Sequence, residues 1–142
     1  MHDVHSKVIL VIAKHMGIPT FTIFDADADK PNQNGSRMKH EKDNKALLMF
    51  LGRPNENPMP TVTLWGTDFV MWHSEIGAIV RDDIGADNWQ TYQAEADKQY
   101  GHAGSLRKNT LYIGTALALA REAGMNSPCL ERLCGEILKY CH

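Results

Sequence analysis

From Pro19 to Asp29 the chain reads Pro-Thr-Phe-Thr-Ile-Phe-Asp-Ala-Asp-Ala-Asp, a β-branched and aromatic run that gives way at once to three alternating aspartates. The pattern predicts a short strand over 19–24 that delivers a polar loop. Carboxylates two apart beyond a strand end can converge on one hard cation, because the chain leaves the sheet there and points its oxygens into the crevice at the carboxyl edge. Mg²⁺ is the natural guest. The competing reading is a solvated acidic turn that also caps the next helix. A calcium loop of the EF-hand type does not fit, since its sixth position is Lys30 where Gly is needed and its twelfth is Ser36 where Glu is needed.

Around this strand the periodicities alternate. Val8, Val11, Ile12 and His15 share helical spacing, and Lys14 and His15 before Gly17 form a helix ending, so 6–16 reads as helix. Ser36 is the expected cap of a helix running to Leu51, with Gly52 as its C′ residue. Prolines and asparagines make 53–60 a connector. Thr61 to Trp65 and Asp68 to Trp72 then read as two strands split by Gly66-Thr67, a hairpin or a sharp bend. After a short turn at 74–80, helices are expected over 86–100, over 109–123 and from Ser127 onward, where Pro128 takes the first helical position. In the last helix Leu130, Leu133, Cys134, Ile137, Leu138 and Cys141 form one apolar stripe, so Cys134 and Cys141 are expected in the core. The expected fold class is α/β, in one domain over 1–142 without repeats or linkers.

Composition supports a folded domain. With 142 residues, 43% hydrophobic and 23% charged, the chain is long enough to bury a real core and excludes disordered or collagen-like classes. The longest apolar run, Val8 to Ala13, is far below the ~20 residues that span a bilayer and lacks a cleavage site, so a cytoplasmic location without membrane contact is expected. The net charge of -2 is not that of a strongly basic nucleic-acid binder. Charge is nevertheless segregated: six Lys or Arg fall in 30–53 against two acids, and seven acids fall in 68–97 against Arg81 alone. Cys129, Cys134 and Cys141 form no CxxC pair, and an odd count argues against a disulfide framework.

The strand Ile18 to Asp27, the helix motif His40-Glu-x-Asp-Asn44, the segment Trp72-His-Ser-Glu-Ile-Gly77 and Arg107-Lys108-Asn109 together resemble the C-terminal Toprim domain of OLD-family ATP-dependent endonucleases. The likeness spans nearly the whole chain. It implies a Toprim-like Rossmannoid sheet with flanking helices, and a Mg²⁺ or Mn²⁺ site that cuts phosphodiester bonds in DNA. Asp25 and Asp27 match the family's Asp-x-Asp metal pair, Glu75 its later acidic ligand and Lys108 its late lysine; Asp29 has no counterpart. The family's first motif, a strand ending in Glu-Gly, is not matched, because the chain begins Met-His-Asp-Val-His-Ser-Lys. The resemblance therefore implies a domain without its first strand, impaired in cleavage, that pairs with a second copy of itself or with an ATPase partner.

Each residue also has a plainer role. Glu75 fits a helix-start carboxylate, Lys108 a solvated lysine before a helix, and the basic stretch 30–53 either a track for the phosphate backbone or a solvated helix face. The histidines, among them His2 and His5, lack zinc-site spacing, and Ser105 and the cysteines lack a base in any nucleophile pattern. Trp65, Trp72 and Trp89 are expected as core or interface aromatics. Two alternatives stand beside the nuclease: a non-catalytic Toprim-derived binding or dimerisation module, and a haloacid-dehalogenase-like phosphatase. The latter family also places Asp-x-Asp after an apolar strand, but with Thr or Val where this chain has Asp29.

Overall fold

The computed structural model describes residues 4–33, 35–101 and 109–142. In chain order these form α1 (Val4–His15), β1 (Thr22–Asp25), α2 (Ser36–Phe50), β2 (Leu64–Trp65), β3 (Phe69–Trp72), α3 (Ile76–Ile84), α4 (Ala86–Tyr100), α5 (Thr110–Glu122) and α6 (Pro128–Tyr140). The protein is thus a mixed α/β fold. Among the described residues no helix is long and apolar enough to cross a membrane. Contacts divide the chain into two compact units, one of residues Met1–Ile76 with Cys134–His142, the other of Gly77–Leu133.

The first unit holds the sheet, in the order β1-β3-β2. β1 runs parallel to β3 with Thr22 opposite Phe69 and Asp25 opposite Trp72, while β2 runs antiparallel with Leu64 opposite Met71. As the middle strand, β3 is buried at all four positions, which its unbroken apolar sequence Phe-Val-Met-Trp suits. Phe69 and Met71 form a core with Ala26 and Leu48, joined by Phe24, Ala28, Leu51 and Leu64. Trp72 packs edge-on against Trp65, ring centroids 5.3 Å apart. The β2–β3 turn is the expected hairpin, closed by Gly66 N–H on the Phe69 carbonyl at 2.8 Å. A Cβ at Gly66 would come within 2.2 Å of the Phe69 ring, so a side chain there requires that buried ring to move.

α1 ends as its sequence indicates: Gly17 takes left-handed backbone (φ 69°) and Ile18 N–H reaches back to the Ala13 carbonyl at 2.9 Å. α2 departs from expectation at its start. Gly35 precedes the first helical residue and supplies no side-chain cap, and the Arg37 N–H is taken by Asn32 Oδ1 at 3.3 Å.

In the second unit, α4 and α5 pack through Trp89 and Ala96 on one side and Tyr112, Ala116 and Ala120 on the other. The three alanines are fully buried. Tyr112 Oη donates to the Gln93 carbonyl at 3.2 Å. α6 begins as predicted at Ser127, whose Oγ accepts from Leu130 N–H at 3.3 Å. The same hydroxyl donates to Asp83 Oδ2 at 2.5 Å, and that oxygen also receives the Cys129 N–H at 3.0 Å. One carboxylate thereby organises the whole first turn of the helix.

Two expectations are corrected. The turn at 74–80 is instead the start of α3, whose Ile79, Val80 and Ile84 are buried; its helical signal is only nine residues long. Cys134 and Cys141 are exposed, as is Leu138. The buried stripe of α6 is narrower than its apolar pattern, with Leu133 as its one buried residue.

Candidate functional site

β1 and β3 are parallel, so their carboxyl ends lie at the same edge of the sheet and send Asp25-Ala-Asp-Ala-Asp29 and His73-Ser-Glu75 out side by side. The pairing continues past the strands: Ala26 N–H donates to the Trp72 carbonyl at 2.7 Å and Ala28 N–H to the His73 carbonyl at 2.9 Å. Ser74, itself buried, donates from Oγ to Asp29 Oδ2 at 2.6 Å and ties the two loops together once more.

Asp25 is half-buried at the end of β1. Its carboxyl is pushed up to about 6, mainly by burial and then by the charge of Asp27, with Glu75 adding to the repulsion; the Ile76 N–H and Lys30 pull the other way. The Ile76 N–H is the first of α3, so Asp25 serves the start of that helix from fifty residues upstream.

Asp27 is buried and takes φ 54°, the one non-glycine residue in the left-handed region among those described. Lys30 Nζ lies 2.8 Å from its Oδ1, and His40 Nδ1 lies 3.8 Å from its Oδ2. Lys30 holds its proton more tightly than usual, chiefly through the hydrogen bond to Asp27, with burial opposing and with the charges of Asp27, Glu75 and Asp25 adding. The ammonium therefore feels all three carboxylates that the sequence singles out.

α2 lies along this loop. Arg37 donates to the Ala28 carbonyl at 3.3 Å, His40 faces Asp27, and Asn44 donates to the Ala26 carbonyl at 2.9 Å. Leu48 continues the stripe into the core beside Ala26. Residues 37, 40, 44 and 48 recur every three or four positions, as one helix face requires.

Of the predicted residues, the structure brings Asp25, Asp27 and Glu75 to one edge, with Glu75 exposed; Lys108 lies outside the described residues. Ser105 and His2 lie outside them as well. Lys30, Asn44 and Ser74 lay in segments that the sequence analysis names, but without a role at the loop. The signal for Asn44 was present as a lone uncharged polar residue four from both His40 and Leu48.

Among the described residues no three His, Cys, Asp or Glu side chains form a group able to enclose a metal ion. The donor chemistry nevertheless suits Mg²⁺, which is held by one or two carboxylates and keeps several waters, without needing a full protein cage. Asp25, raised first by burial and then by the charge of Asp27, and Asp27, paired with the Lys30 ammonium, are the oxygen donors such an ion would meet. Compared with protein-family models, with curated proteins and with solved structures, the chain finds no match in any of the three.

Proposed function

We propose that this protein is a Toprim-like module whose aspartate loop binds Mg²⁺ or Mn²⁺ for cleavage of DNA phosphodiester bonds. The observation that carries the reading is that the parallel pairing of β1 and β3 brings the loops bearing Asp25, Asp27 and Glu75 to the same carboxyl edge of the sheet, where Asp25 feels the charge of both other carboxylates. Asp25 and Asp27 would hold the ion and Glu75 would assist. Bound there, a divalent cation supplies Lewis-acid polarisation of a phosphate and a more acidic water. Arg37 is fixed at the loop by its bond to Ala28, and a guanidinium carries five donors, so others remain to receive a phosphate oxygen. Lys39, Lys42 and Lys45 are exposed on α2, turned away from the stripe of Arg37, His40, Asn44 and Leu48, and would offer further phosphate contacts on that other face. Lys108 would offset charge at the scissile group.

The test is plasmid relaxation with Mn²⁺ or Mg²⁺, run beside Asp27→Ala and a version extended upstream by a strand ending in Glu-Gly. Nicking by the chain as given is expected to be slow or absent, to rise in the extended version and to vanish in Asp27→Ala. Robust nicking that survives Asp27→Ala would show that the aspartate loop is not the catalytic centre.

A second reading is a non-catalytic module that pairs with a second copy of itself. It is favoured by the place of β1 at the end of the sheet order, with Ile23 46% exposed. An edge strand with exposed apolar side chains is a template for pairing. Light scattering is expected to give a dimer, and a monomer at high concentration would contradict this reading.

A further inference from the structure

Three successive peptide groups carry the chain through the aspartate loop, and each is gripped from a different side. The peptide joining Asp25 to Ala26 is held through the Ala26 N–H on the Trp72 carbonyl at 2.7 Å, and that joining Asp27 to Ala28 through the Ala28 N–H on the His73 carbonyl at 2.9 Å. The peptide between them is held by Asn44, whose Nδ2 donates to the Ala26 carbonyl at 2.9 Å. Peptide groups are planar, so fixing three consecutive planes fixes the φ and ψ of Ala26 and Asp27. Among them is the left-handed φ of 54° at Asp27 that aims its carboxylate.

Asn44 is itself built in. It is 3% exposed, and its amide also donates to the Pro58 carbonyl at 2.9 Å, with Met59 Sδ at 3.7 Å. Both N–H bonds are thus spent on main-chain acceptors, one in the loop and one in the connector that leads to β2. Leu has the same branched shape and number of heavy atoms but is bulkier and has no donor, and Asp has a similar volume but only acceptors. Simple filling of space would be met by Leu; the two carbonyls require an amide.

We infer that Asn44 is the positioning residue of the aspartate loop: by holding the Ala26–Asp27 peptide plane between two planes fixed by the end of β3, it sets where the Asp25 and Asp27 carboxylates point. In its link to metal this rests on the cation-binding reading above. Groups that orient ligands without touching the ion typically change metal affinity 10- to 100-fold when removed.

The experiment compares wild type, Asn44→Asp and, as a stability control in the other unit, Asp83→Ala. Two quantities are read: backbone amide shifts of Ala26, Asp27 and Ala28 by NMR without metal, and the Mn²⁺ dissociation constant by calorimetry. Asn44→Asp is expected to move the three amides and to weaken Mn²⁺ binding about 10- to 100-fold, whereas Asp83→Ala leaves both unchanged. If Asn44→Asp does not fold, wild type still decides: a scalar coupling across the hydrogen bond from the Asn44 side-chain nitrogen to the Ala26 carbonyl carbon is expected, and its absence overturns the inference. A folded Asn44→Asp with unmoved amides and unchanged affinity overturns it too, while leaving the metal reading intact. Absence of Mn²⁺ binding by wild type sinks the metal reading alone, and the amide shifts then decide the role of Asn44.

Discussion

Lys30 closes onto Asp27 three residues before it, ammonium to carboxylate at 2.8 Å, with the Lys30 N–H also meeting the Asp27 carbonyl at 3.2 Å. The lysine side chain is 47% exposed and the aspartate side chain 9%. The pair therefore joins a solvated stem to a buried acceptor, so the lysine has room to move into solvent once another cation compensates Asp27. A cation taken up by Asp27 competes with it. Lys30→Met, which keeps the stem and removes the charge, is expected to tighten Mn²⁺ binding several-fold, and Lys30→Arg to leave it weak. Calorimetry on the two variants decides; equal affinities would show that the ammonium does not compete.

Asp25 makes stability depend on pH in the metal-free protein. Its carboxyl is pushed up to about 6 in the folded chain from its ordinary 3.8, so between those values the folded state binds more protons than the unfolded one. Its contribution is therefore fully present below about pH 4 and is lost as pH rises through 6. Asp25→Asn is expected to remove that loss and to stabilise the protein at pH 7 by about 1 kcal/mol, less than the full shift implies because the group is partly solvated. Urea unfolding in the presence of a chelator at pH 4, 5.5 and 7 checks the sign. A variant less stable than wild type at pH 7 would contradict it.

Asp83 serves the first turn of α6 twice, through the Ser127 hydroxyl and the Cys129 N–H. Asp83→Ala removes both acceptors and is expected to cost about 1–2 kcal/mol. Denaturant unfolding gives the figure. A loss no greater than that of an exposed-site control such as Glu95→Ala would mean that the cap carries no weight.

The thiol of Cys129 is held above its usual pKa, first by burial and then by its hydrogen bond to Asp83 and the charge of that carboxylate. Cys134 and Cys141 are exposed. Thiolate, not thiol, is what alkylates, so iodoacetamide at pH 8 is expected to label Cys134 and Cys141 first and Cys129 slowest. Mass spectrometry of timed digests reads the order directly. Asp83→Ala should speed Cys129.

The parts of this molecule legible in its sequence are those whose causes are local. The strand that ends in alternating aspartates, the Gly66 hairpin and the Ser127-Pro128 helix start each carry their signal within a few residues. α3 was not legible because the carboxylate serving its first N–H comes from Asp25, fifty residues away in the chain. Asn44 stood within a recognisable motif, yet only the approach of α2 to the loop gives its amide the carbonyls of Ala26 and Pro58. Cys134 and Cys141 obeyed the apolar period of α6, but periodicity sets which residues share a face and not how wide a strip of that face is covered.

The absent side chain of Gly66 has a reach well beyond its own turn. The hairpin it permits sets which residues of β3 face β2, and β3 in turn carries the pairing of Trp72 with Asp25. A slip of one residue would exchange the two faces of β3 and bring a different neighbour to Asp25. Ser74, which meets Asp29, and Glu75, which crowds Asp25, would both arrive out of step. A methyl group at position 66, nine before Glu75, thus presses first on Phe69, the β3 residue opposite Thr22, and reaches the aspartates only through the strand they share.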